Sequence, residues 1–365
     1  MQENNKLLEC LREIKPTVRD ILDKREIITR EFVSLFSKKN IKKIYFSGQA
    51  SGIYVALMLK NFVENILHIE VSITNPFEFN EYEDFNVNSV YATEQLCLIC
   101  PAHSGSTTGP IKMAEKCQKK GISVVCTTID INSPLAHNSD VIIYKYCGNE
   151  ESYIETKTHF ASLVCLFLCF IDYAFFSNKI SKIEYEKYII QLSDSINNLD
   201  TVIEKTIAWY KENEKIFHNV NMIRYVAYGE FQGVALEGGL KIAETTHIAC
   251  LYYELEEFMH RSTTQINDQS CIVIIGGQCQ FTNRVHELIS WCEQYSNKVI
   301  VISSNDDIIG RNILTIKSKD APYFSVLEYL ISLEVLAYCL SQTRNVSVIE
   351  CTNDGASAML HTHIS

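Results

Sequence analysis

Short apolar runs alternate with amphipathic stretches along nearly the whole chain. "KKIYFSG", "HIEVSIT" (68–74), "QLCLIC", "ISVVCTTID" and "DVIIYKY" are rich in β-branched and aromatic residues and end at turn residues, so each predicts a strand. Between them "SGIYVALMLKNFVENI" and "TTGPIKMAEKCQKKG" have helical period, and Gly121 gives the second a C-terminal stop. Residues 1–36 predict a helical lead-in, and helices are expected at 155–178 and 181–213. A second series follows: "IRYVAYGE", a helix over "GVALEGGLKIAE", strands "SCIVIIGG", "KVIVISS" and "ILTIKS", and a closing helix "YFSVLEYLISLEVLAYCL". Strands alternating with helices predict an α/β fold of two doubly wound halves, each a parallel sheet covered on both faces. The expected boundaries are 37–200 for the first half, 201–345 for the second and 346–365 for a tail.

The halves share a faint repeat. "YFSGQASGIYVALMLK" (45–60) lies over "VAYGEFQGVALEGGLK" (226–241), matching Gly48 to Gly229, Gly52 to Gly233, Leu59 to Leu240 and Lys60 to Lys241. Each copy opens with a strand and a glycine turn, which is the ligand edge of a doubly wound sheet.

Composition narrows the function. A formal net charge of −11 and no long basic block give no expectation of a nucleic-acid partner. The most apolar run, "FASLVCLFLCFIDYAFF" (160–176), is interrupted by Asp172 and short for a membrane span, so it predicts a core helix. The polar N-terminus does not read as a signal peptide. Fourteen scattered cysteines fit a reducing, cytoplasmic setting. Cys97 and Cys100 have CxxC spacing, but positions three apart on a strand face opposite sides, and no second such pair exists. No metal or other cofactor is expected.

Two groups of residues could carry chemistry. The first is "PAHSGSTTG" (101–109), which leaves a buried-looking strand and enters a helix. Ser104, Ser106 and Thr107 offer hydroxyls, Gly105 allows close backbone approach, and the helix start favours an anion such as phosphate. The plain reading is a helix N-cap. Ser51 on the first turn is a weaker ligand candidate, with Ser47 a fallback, and His103 is either a contact or turn filler. The second group is Glu237, Lys241 and Glu244, which share one helical face at i, i+4 and i+7. Such spacing ordinarily gives a solvated, salt-bridged face.

Together these motifs resemble the tandem sugar isomerase (SIS) family, over about residues 30–345. Ala102-His103-Ser104-Gly105-Ser106-Thr107 is similar to the family's S-x-S-G-x-T turn with its first serine replaced. Glu237 to Glu244 match E-G-x-L-K-x-x-E in full, and Glu257-Phe258-Met259-His260 match the start of E-[FL]-x-H-G-P, with Arg261 and Ser262 where Gly and Pro stand. "NPFEF" (75–79), "NSPLAHNSDVII" (132–143) and "ETKTHFASL" (155–163) also resemble family segments.

The resemblance implies an enzyme acting on a hexose or hexosamine 6-phosphate: an isomerase, or a deaminase or deglycase. It places phosphate on Ser104, Gly105, Ser106 and Thr107, with His103 and Ser51 beside it. It makes Glu244 the proton carrier, Lys241 and Glu237 its supports, and His260 the group that opens the sugar ring, reached from the neighbouring subunit of a homodimer. Three departures favour a non-catalytic phosphosugar-binding protein instead: the lost Gly-Pro, the replaced first serine of the turn, and a tail without the lysine that forms a Schiff base in the amidotransferase relatives. Glutamine use is not expected, since those relatives' glutamine-hydrolysing domain has no counterpart in this sequence. His361 and His363 are the tail's acid–base groups, and a frayed end is expected there. The second half's own third-strand turn, "IGGQCQFT" (275–282), keeps a hydroxyl only at Thr282. One phosphosugar site per chain is therefore expected, built on the first half's turn and finished by second-half residues.

Overall fold

A computed structural model describes residues 5–277, 281–318, 321–344, 346–351 and 355–364. The first four residues of the lead-in, residues 278–280 of the second third-strand turn, 319, 320 and 345 of the second half, and 352–354 and 365 of the tail lie outside the described residues. The chain divides into two compact units. One comprises 16–151, 155–190 and 351–365, and the other 1–15, 152–154 and 191–350.

The lead-in is two helices, α1 (Asn5–Asp23) and α2 (Arg25–Lys39). The first sheet then runs β1 (Lys43–Ser47), α3 (Ser51–Leu67), β2 (Glu70–Thr74), α4 (Pro76–Tyr82), β3 (Leu96–Pro101), α5 (Thr108–Lys120), β4 (Ser123–Thr128), α6 (Pro134–His137) and β5 (Val141–Tyr144). Its strands are all parallel in the order β2-β1-β3-β4-β5. Every residue of β3 and β4 is buried, as a strand covered on both faces requires. Gly121 ends α5 in the left-handed conformation at φ +75°, the stop anticipated from sequence.

Helix α7 (Lys157–Phe176) is long and apolar enough to cross a membrane by composition, yet it lies buried in the first unit. Its rings meet those of α2, with Phe32 and Phe170 edge to face at 5.3 Å. Its one acidic residue, Asp172, is buried and accepts from Thr29 Oγ1 at 2.6 Å and Tyr185 Oη at 3.0 Å. Burial raises that carboxyl above its ordinary value, and the two hydroxyls offset part of the shift.

Helix α8 (Lys182–Asn213) leads to the second sheet: β6 (Met222–Ala227), α9 (Phe231–Thr246), β7 (Ala249–Glu254), α10 (Leu255–Met259), β8 (Cys271–Gly276), α11 (Thr282–Tyr295), β9 (Val299–Ser303) and β10 (Asn312–Thr315). Helix α12 (Val326–Ser341) follows, and the short α13 (Ala356–Met359) lies in the tail. The second sheet, read β7-β6-β8-β9-β10, is parallel and has the same order as the first. The two copies of the faint repeat fall on equivalent elements, β1–α3 and β6–α9. Strand β7 was not legible in the pattern. It is an edge strand with no fully buried residue, and "ACLYYE" mixes apolar residues with a charge.

Helix α12 buries a carboxyl at Glu328, whose Oε1 accepts from Asn198 Nδ2 at 2.5 Å. Burial raises this group to about 7. The folded value lies above the unfolded one, so the stability it contributes is full below about pH 4.5 and is lost as pH rises through 7. Glu328→Gln keeps an acceptor for Asn198 without the charge. Urea unfolding should find this variant more stable than the parent at pH 8, by on the order of 2 kcal/mol, with the difference gone by about pH 4. An equal difference at both pH values would refute the buried, raised carboxyl.

Candidate functional site

The order β2-β1-β3 makes the chain leave β1 and β3 in opposite directions. Ligands of open parallel sheets sit at such a switch point, beyond the C-terminal ends of the two strands. The helices that start there are α3 and α5, and neither has a side-chain cap. Three other helix starts in this unit, those of α4, α6 and α7, have side-chain partners, whereas α2 has no side-chain cap either. Asn75 caps α4 and Ser133 caps α6. The Glu150 carboxylate accepts from the backbone N–H of Thr156, Lys157 and Thr158 at 2.8–3.1 Å and from both threonine hydroxyls, which fills the start of α7.

The α5 turn therefore differs from the plain N-cap that its composition allows. Thr107 occupies the N-cap position, but its hydroxyl makes no capping bond. Ser104 Oγ and Ser106 Oγ converge at 2.7 Å, and Ser104 Oγ also accepts the Ser106 N–H at 3.3 Å. Gly105 has φ +70°, and a Cβ there would stand 2.2 Å from Ser133 Oγ, so only glycine fits. Ser51 opens α3, and the neighbouring Gln49 reaches the start of α5, where a Cβ on Gly109 would lie 3.3 Å from its Oε1. Ser47 is buried and donates to the Thr74 carbonyl at 3.3 Å, so the fallback candidate serves the sheet.

Residues behind the turn hold its shape, and sequence reading missed them. The His103 carbonyl accepts from Ile129 N at 3.1 Å and Thr128 Oγ1 at 3.0 Å, and the Gly105 carbonyl accepts from Leu135 N at 3.0 Å. Lys145, just past β5, is buried and donates to the Thr158 carbonyl at 3.2 Å. Desolvation holds its amine below the ordinary value.

In the second unit, Glu237, Lys241 and Glu244 do share one face of α9, but it is not a solvated face. The side chains of Glu237 and Lys241 are 0% and 2% exposed, and that of Glu244 is 30% exposed. Lys241 Nζ lies 3.2 Å from Glu237 Oε1 and 3.1 Å from Glu244 Oε2. Glycines let α9 sit this deep. A Cβ on Gly238 would meet Leu333 of α12 at 2.3 Å, and one on Gly239 would meet the Tyr252 hydroxyl of β7 at 2.6 Å. An ammonium taken out of water needs compensating charge, and the buried Glu237 supplies it. Glu244 is then the second carboxylate on a cation already matched, and the one with a path to solvent. Its backbone carbonyl accepts from Tyr153 Oη at 3.0 Å.

His260 is on a separate element. It forms the exposed C-cap of α10, and its N–H bonds the Glu256 carbonyl at 3.0 Å. Arg284 grips the Glu256 carboxylate through Nε and Nη2, each at 2.7 Å, and this holds that carboxyl below its usual value. The second sheet's switch point lacks a hydroxyl cradle among the described residues. Tyr228 fills it, donating to the Gly277 carbonyl at 3.2 Å, with Phe231 and Phe281 rings each 6.1 Å away. Thr282 accepts from Asn305 Nδ2 at 3.0 Å. Cys97 and Cys100 are buried thiols raised well above their ordinary value by desolvation, and no group of His, Cys, Asp or Glu suited to a metal occurs among the described residues.

Residues 216–338, which contain the second sheet and its carboxylate–lysine face, match the family model described as SIS domain. This second half of the chain is a SIS domain. A glutamine–fructose-6-phosphate aminotransferase (isomerizing) of Clostridium acetobutylicum is 22% identical over 358 residues, covering 94% of this chain and 57% of that protein. The chain thus spans about half the length of the curated relatives it matches. Among solved structures, a protein provisionally assigned as a phosphosugar isomerase from Clostridium difficile 630 superposes with a TM-score of 0.87 at 23% identity, over 97% of each chain. The C-terminal domain of glucosamine-fructose-6-phosphate aminotransferase from Francisella tularensis gives 0.81 at 16%, over 94% of this chain and 97% of that one. These likenesses establish the fold: two SIS-type parallel sheets.

Proposed function

We propose that this SIS protein is an enzyme that binds a hexose or hexosamine 6-phosphate and moves a proton between its C1 and C2. The reaction is an aldose–ketose isomerisation, or one coupled to loss of an amine. The observation that carries the reading is the α5 turn at the first switch point, which has no side-chain cap and has two serine hydroxyls converging at 2.7 Å beside a threonine that does not cap its own helix. Such a turn supplies hydroxyl donors, backbone N–H groups and the positive end of a helix dipole to a phosphate. Relatives named for fructose 6-phosphate and tagatose 6-phosphate chemistry support that ligand class.

Proton transfer falls to Glu244. A carboxylate can accept the proton from one carbon and return it to the next, provided it is held in place. Lys241 holds it and balances negative charge on the enediolate; Glu237 neutralises Lys241 in turn. His260, in the same reading, opens the sugar ring, and the protein works as a homodimer. A second reading is a phosphosugar-binding protein without turnover, favoured by Arg261 and Ser262 after His260 and by the lysine-free tail.

A thermal-shift panel of hexose and hexosamine 6-phosphates, with the unphosphorylated sugars as controls, separates these. At least one phosphorylated sugar should raise the melting temperature where its neutral counterpart does not. NMR of that sugar with the protein should then show a new ketose, aldose or released amine. Binding without conversion across the panel favours the second reading, and no binding at all rejects both.

A further inference from the structure

The tail is not the frayed end that its polar sequence suggests. Residues 362–364 run antiparallel to 106–108 within the first unit, with Thr107 and His363 as the bridge pair. Thr108 N–H donates to the Thr362 carbonyl at 3.0 Å, and Ile364 N–H donates to the Ser106 carbonyl at 2.8 Å. Thr108 Oγ1 adds a third bond, to the His361 carbonyl at 2.9 Å. A tail of exposed side chains is ordered because its backbone completes the turn's own unpaired groups.

The pattern fixes which side chains meet. The two backbone bonds flank Thr107 and His363 without joining them, so these form the non-hydrogen-bonded kind of antiparallel pair. Its Cα atoms lie about 4.5 Å apart and its side chains share one face. Thr107 is the N-cap residue whose hydroxyl does not cap. Across from it, His363 Nδ1 lies 3.0 Å from Thr362 Oγ1, which orients the ring through that nitrogen and leaves Nε2 as its other polar atom. The turn itself, 101–109, contains no lysine or arginine to meet a dianion.

We propose that His363 is a ligand of the substrate phosphate, brought to the turn by the tail and setting preference for phosphorylated over neutral sugars. The inference rests on the phosphate site proposed above. The Nε2–H of His363 would give the phosphate anion a charge-assisted hydrogen bond beside Thr107, a type stronger than a neutral one.

Calorimetric titration with inorganic phosphate, and with whichever 6-phosphate the panel identifies, tests this on the full chain. His363→Ala should weaken both ligands about tenfold or more, by a similar factor, with the ligand-free melting temperature unchanged. His361→Ala should bind as the parent does, since His361 meets the turn through its carbonyl. Removal of residues 361–365 should weaken binding at least as much as His363→Ala. Parent-like affinity in His363→Ala overturns the proposal and leaves the phosphate site standing. Tighter binding after truncation also overturns it, by making the tail a competitor for the turn. A parent protein that binds neither ligand overturns the phosphate site and this inference together.

Discussion

Glu244→Gln should lower turnover of the phosphosugar substrate by about 10²–10⁴-fold, the usual cost of removing a positioned general base. Glutamine keeps the shape and can still accept from Lys241 Nζ, 3.1 Å from the carboxylate in the parent, so the fold should be preserved. Phosphosugar affinity should change little, because phosphate binding is assigned to other residues. Lys241→Met would be a poorer probe, since it leaves the fully buried Glu237 without its counter-charge and threatens the fold itself. His260→Ala, on the exposed C-cap of α10, should also cut turnover without loss of stability. The proposed homodimer adds a further test. If His260 serves the neighbouring subunit's sugar, mixing the two inactive variants should restore part of the activity through hybrid dimers. No restoration after verified exchange places both groups in service of one chain's sugar. Parent-level turnover in both single variants would remove the catalytic assignment.

Ser104→Ala combined with Thr107→Ala should weaken phosphosugar binding by about 2–4 kcal/mol, or roughly 30- to 1000-fold, through loss of charge-assisted hydrogen bonds. The neutral sugar should bind poorly to parent and variant alike. Thr107→Ala alone is the cleaner probe of the ligand role. Its hydroxyl caps nothing, whereas Ser104 Oγ also accepts the Ser106 N–H at 3.3 Å and helps to shape the turn. A ligand-free melting temperature that falls in the double variant but not in Thr107→Ala would locate that structural share in Ser104. Calorimetry showing undiminished affinity in the double variant would rule out this turn as the phosphate site.

The sequence by itself determined whatever depends on neighbours a few positions apart. Strand runs such as "QLCLIC", the helical period of α3 and α5, and the stop at Gly121 are local, and the structure holds them where the pattern put them. Its apolar character around the whole circumference made α7 a core helix. The spacing of Glu237, Lys241 and Glu244 put them on one face whatever the surroundings. What that face meets was decided only in three dimensions. Leu333, about 95 positions on, and Tyr252 press on Gly238 and Gly239, and so bury a lysine that spacing alone would leave in water. The edge strand β7 was missed because its order comes from pairing with β6 and not from an apolar run of its own. Composition likewise could not say which helix start is left for a ligand. Glu150 closes α7 from six residues upstream, while the start of α5 keeps an uncapped threonine. Tail docking is the extreme case. Thr108 and His361 are 253 positions apart, and the bonds between these segments are largely backbone bonds, which leave no mark on side-chain pattern.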